Sequence, residues 1–101
     1  MGATRTERPA GLDEQGVLDV FAREGLRAVH WSNGPGDTYS PHRHGYHKVL
    51  YCLRGSIVFS LTETGEEIEL SAGDRMDIDP ETEHSAVVGP QGVACVEAAR
   101  P

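Results

Sequence analysis

The strongest constraint on the fold lies between His47 and Ala98, where short apolar runs alternate with turn signals at even spacing. Ile57, Phe59 and Leu61 alternate with Ser56, Val58 and Ser60, and Ile68 and Leu70 alternate with acidic residues. Met76 and Ile78 alternate with Arg75, Asp77 and Asp79. A period of two places successive side chains on opposite faces, as in a strand with one face toward a core. His47 to Leu53, His84 to Val88 and Val93 to Ala98 read as further strands. Arg54-Gly55, Thr62-Glu63-Thr64-Gly65, Ser71-Ala72-Gly73-Asp74 and Gly89-Pro90-Gln91-Gly92 punctuate the series as turns. Many short strands with regular turns predict an all-β sandwich or barrel.

The first third of the chain is different. Residues 1–11 are charged and contain Pro and Gly, and are expected to form a flexible N-terminal tail. From Leu12 to Glu24, Val17, Leu18, Phe21 and Ala22 recur at helical spacing, with Asp13 as N-cap and Gly25 as stop. This predicts one short helix laid on the outside of a sheet. Leu26 to Trp31 reads as a strand, Asn33-Gly34-Pro35-Gly36 as a turn, and Asp37 to Ser40 as a short strand. With 101 residues, the chain suits one domain with one core, placed at residues 12–101.

A formal charge of −7 argues against nucleic-acid and anionic-membrane surfaces, both of which reward basic patches. No apolar run approaches the ~20 residues of a membrane-spanning helix, and Met1 to Gly16 lacks the apolar centre of a signal peptide. A cytoplasmic location is therefore expected. Two cysteines, Cys52 and Cys95, are too few for a disulfide scaffold and read as small buried thiols, and a bridge between them would require proximity.

Three of the five histidines, His42, His44 and His47, fall within six residues, and His84 follows far downstream. His42 and His44 are one residue apart. On an extended backbone their imidazoles point to one side and can converge on one ion, and a barrel could bring His84 to them. His30, alone on a strand, reads as structural. Tyr39, Tyr46, Tyr51 and Met76 read as core or barrel-rim residues, and Arg75, Asp77 and Asp79 as a solvated strand face.

Gly36, His42, His44, Lys48 and Gly55 stand at the spacing Gly-x5-His-x-His-x3-Lys-x6-Gly, and Gly73, followed by Asp74, precedes His84 with ten residues between the glycine and the histidine. Over about Gly36 to Val88 the chain resembles the cupins, whose two motifs carry His-x-His, a Glu, and a later His. The resemblance implies a cupin double-stranded β-helix, that is, a jelly-roll barrel, here with one short N-terminal helix. It also implies a metal site and pairing into homodimers. The sequence departs from the family where Lys48 fills the Glu slot, Asp79 the second-motif Pro slot, Glu81 the Gly slot and Val88 the Asn slot.

An ammonium has no lone pair to offer a metal. Either His47 takes the vacant position through a bulge, giving His42, His44, His47 and His84, or Lys48 faces a site of three histidines. Parity favours His47, because Lys48 shares a face with Arg54 while His47 shares one with Val49, Tyr51 and Leu53. Imidazoles suit a divalent transition metal such as Zn, Fe, Ni, Cu, Co or Mn. The resulting expectation is a metal-dependent enzyme acting on a small polar or aromatic molecule. The alternatives are a non-catalytic ligand-binding or sensor protein with a structural metal, and a barrel that has lost its metal. A fold of this kind hosts many functions.

Overall fold

The computed structural model describes residues 2–6 and 13–100. Its elements are β1 (Ala3–Thr6), α1 (Glu14–Arg23), β2 (Val29–Asn33), β3 (Thr38–His42), β4 (His47–Leu61), β5 (Glu67–Ser71), β6 (Arg75–Ile78) and β7 (His84–Arg100). All seven strands pair antiparallel, which makes the protein the all-β barrel expected. Among the described residues, no helix is long and apolar enough to cross a membrane.

Two long strands organise the barrel. β4 and β7 pair from His47↔Arg100 to Leu61↔His84, with register shifts between Cys52 and Ile57. At one end, β6 and β1 extend the sheet beyond β4, and β2 extends it beyond β7. At the other end, β5 pairs with β4 and β3 with β7. The chain therefore passes between the two ends of the barrel at Arg54-Gly55 on β4 and at Gly89–Gly92 on β7 without ending a strand. Bulges bend a strand and increase its twist, so the turns expected at these two places are bends inside continuous strands.

The bend also exchanges faces. Leu50 and Cys52 point into the barrel before it, and Ile57, Phe59 and Leu61 after it. On β7, Ala86 and Val88 point inward first, then Val93 and Cys95. The opposite face of the first half, with Val49, Tyr51, Val96 and Ala98, is equally apolar because α1 covers it with Val17 and Phe21. Phe21 and Tyr51 meet at a centroid distance of 5.4 Å.

The helix begins as its sequence predicts: the Asp13 carboxylate accepts from the Gly16 N–H at 2.9 Å. It ends before Gly25, whose φ of +71° is free of strain only for glycine. Beyond the helix, Glu24 accepts from Arg75 at 2.7 and 3.2 Å, and Arg75 also binds Asp77 at 2.7 Å. This network clamps the helix end to β6, so Arg75 and Asp77 are not the solvated face expected.

The expected tail at residues 1–11 is corrected in part. Ala3–Thr6 pairs with the free edge of β6, from Ala3↔Ile78 to Thr6↔Arg75. Gly2 and Asp79 close the pair, with Asp79 N–H donating to the Gly2 carbonyl at 2.8 Å. An open edge is a row of unpaired backbone groups, and even a polar Thr-Arg-Thr segment satisfies it. Residues 1 and 7–11, the rest of that expectation, lie outside the described residues.

Candidate metal centre

The register of β3 on β7 makes His42 and His84 direct cross-strand partners. Partners across a ladder share a face, so both imidazoles point into the barrel, with ring centroids 4.4 Å apart. His44 follows in the loop after β3, its ring 4.9 Å from that of His42 and 5.5 Å from that of His84. One ligand nitrogen from each of the three can be chosen so that all lie within 4.8 Å of one another.

The loops are tied together. The Glu81 N–H donates to the His44 carbonyl at 2.7 Å. Glu81 has a φ of +63°, a left-handed conformation that costs a non-glycine residue roughly 1–2 kcal/mol. It occupies the slot where the resemblance places a glycine.

Hydrogen bonds fix the ring orientations. His42 Nδ1 lies 2.7 Å from the Ser40 carbonyl and His84 Nδ1 lies 2.9 Å from the Thr82 carbonyl. A carbonyl only accepts, so each Nδ1 carries the proton and each Nε2 keeps a free lone pair. His44 stacks on Tyr46 at 5.0 Å, and its Nε2 is buried with no hydrogen-bond partner.

Burial pushes the His44 pKa down to about 4, and the charges of Lys48, His42 and His84 add to the effect. Burial also lowers His84. Both rings are therefore neutral at pH 7, the state a metal requires.

A cavity of about 300 Å³ opens beside the triad. Its walls are Trp31, Tyr39, Leu50 and Phe59, with Lys48 and Glu97 as its charged members. The Trp31 indole donates to Glu97 at 2.7 Å, and Lys48 Nζ lies 3.5 Å from the same Glu97 oxygen. A larger groove of about 570 Å³ runs along the start of α1. There His30 pairs with Glu14 at 2.9 Å on the surface, and the triad is not part of it.

His47 is not in the cluster, which corrects the site expected from parity. Its Nε2 binds Asp77 at 2.9 Å, and its Nδ1 lies 4.0 Å from Asp79. Lys48 lines the cavity in its stead. Parity across Arg54 fails because the bend there exchanges faces. The apolar residues Val49 and Tyr51 mark the face beneath α1 and not the interior.

Tyr39 lines the cavity and Tyr46 stacks on His44, while Tyr51 is buried under the helix and Met76 in the barrel core. Cys52 and Cys95 are buried, free and directly opposite one another. Lys48 in the cavity is the alternative that the sequence left open, whereas Trp31 and Glu97 are polar cavity residues that the sequence reading did not bring to the site. Glu97, a lone acid in an apolar run, was the available signal for the last of them.

The chain therefore has two separable positions to test. His47→Ala is expected to leave zinc affinity within about twofold, since it removes only a partly exposed hydrogen bond to Asp77. Lys48→Glu replaces a cavity cation by a carboxylate and is expected to tighten zinc about tenfold, roughly 1.4 kcal/mol. Calorimetric zinc titration of both variants checks this, and the opposite ranking would return His47 to the site.

The family model for the cupin domain matches residues 29–94. The chain belongs to the cupin family. No curated protein matches it significantly. Among solved structures, an RmlC-like cupin from Shewanella frigidimarina NCIMB 400 is 28% identical at a TM-score of 0.65, over 75% of this chain and 66% of that one. KdgF from Halomonas sp. is 24% identical at a TM-score of 0.61, over 99% of this chain and 82% of that one. The polyketide cyclase RemF from Streptomyces resistomycificus is 22% identical at 0.67, over 97% and 64%. This cupin thus spans just under two thirds of the first and the third. At 22% and 24% identity, the likeness to RemF and KdgF is one of fold.

Proposed function

We propose that this cupin holds one divalent transition metal on His42, His44 and His84 and uses it on a small polar or aromatic molecule bound in the adjoining cavity. The observation that carries this reading is the buried, unpartnered Nε2 of His44, because a buried polar atom left without a partner costs about 1–3 kcal/mol unless a ligand takes it. The two neighbouring rings, protonated on Nδ1, add two more free Nε2 lone pairs. Three neutral imidazoles suit Zn, Fe, Ni, Cu, Co or Mn.

The metal would supply Lewis acidity toward an oxygen of the bound molecule. The chain's own residues do the rest. The carbonyls of Ser40 and Thr82 hold the rings in register. Trp31, Tyr39, Leu50 and Phe59 give the cavity an apolar, largely aromatic wall against which the body of a small molecule can pack.

Chelator-stripped protein titrated with zinc at pH 7 tests the reading. One equivalent per chain is expected, and a chain that takes up no zinc, cobalt, iron or nickel would overturn it.

We also infer a homodimer. β2 ends the strand order and leaves Val29 56% exposed, and pairing removes such an edge. Light scattering should give twice the 10.9 kDa of one chain; a 10.9 kDa species at micromolar concentration would contradict it.

A further inference from the structure

We propose that Lys48 is an anion receptor and that the cavity therefore selects small carboxylic acids, an inference that deepens the metal-site reading above by naming the class of ligand. The Lys48 side chain is only 13% exposed. A largely buried ammonium needs its three donors satisfied. Among the described residues its ion-pair partner is Glu97, at 3.5 Å, longer than the ~2.7–2.9 Å of a strong charge-assisted bond. The Glu97 oxygen it approaches is already taken by the Trp31 indole at 2.7 Å. Lys48 thus lines the cavity with one long ion pair as its charged contact among the described residues.

The charge balance points the same way. Lys48 and Glu97 cancel, and imidazole ligands bring no negative charge, so a divalent ion on the triad would leave its charge uncompensated. A carboxylate offsets that charge and pairs with Lys48. The aromatic walls accept the body of the acid, and about 300 Å³ keeps it small.

The test uses acetate, pyruvate and benzoate, each beside its amide, on zinc-loaded protein at saturating zinc. Binding is read by calorimetry and by the fluorescence of Trp31, the one tryptophan of the chain. At least one acid should bind about tenfold or more tightly than its amide. Lys48→Met should erase that preference, and Lys48→Arg should keep it. Glu97→Gln, which removes the competing carboxylate, should tighten the acid.

No acid preference in the native protein, or a preference that survives Lys48→Met, would overturn the proposal. Zinc stoichiometry is measured first. If zinc does not bind, the metal reading fails by itself, and the same comparison in zinc-free protein still decides the role of Lys48.

Discussion

Replacing His42 and His44 together by alanine is expected to abolish metal uptake while leaving the barrel folded. Zinc at a hundredfold excess over its dissociation constant should stabilise the native protein by about 2.7 kcal/mol and the double variant not at all. Without metal, the variant should differ from the native protein by no more than about 1 kcal/mol, because the lost packing of His44 on Tyr46 is offset by removal of an unsatisfied buried nitrogen. Urea denaturation with and without zinc gives both numbers. An undiminished zinc response in the variant would place the ion elsewhere.

Gly55→Ala is expected to be the most destabilising single methyl in the protein. A Cβ there would lie 1.9 Å from the Gly92 carbonyl oxygen and 2.8 Å from its carbon, and the residue has a φ of +72°. Both obstacles are backbone, fixed where β4 and β7 bend together, so the loss should reach about 3–5 kcal/mol or prevent folding. Gly65→Ala is the control, since its φ of +79° is similar but nothing lies within 4 Å. It should cost only the conformational penalty of roughly 1–2 kcal/mol. Equal losses at the two sites, measured by urea denaturation, would show that crowding at the bend is unimportant.

Much of this architecture was legible because local chemistry and global fold agree. Asp13 and Gly25 bracket the helix, period-two patterns mark β5 and β6, and the His-x-His pair converges, with His42 ending β3 and His44 in the loop after it. The failures have one shape: they need information from another strand. His47 and Lys48 could not be assigned because a bend six residues away exchanges inside for outside, and because a second apolar face lies under α1. Glu97 joins the cavity only through its register against Leu50 and Val29. β1 carries no apolar pattern and exists because β6 offers an edge. The turns expected at Arg54-Gly55 and Gly89–Gly92 are bends within β4 and β7, and nothing local shows that pairing continues through them.

The most direct test of the three-histidine site is ¹⁵N NMR of the imidazoles during zinc titration. Of the five histidines, three should show Nδ1–H tautomers with Nε2 shifted by one equivalent of zinc. Those three should be His42, His44 and His84, while His30 and His47 remain unchanged. A zinc-induced shift of the His47 ring, or none at His84, would contradict the account.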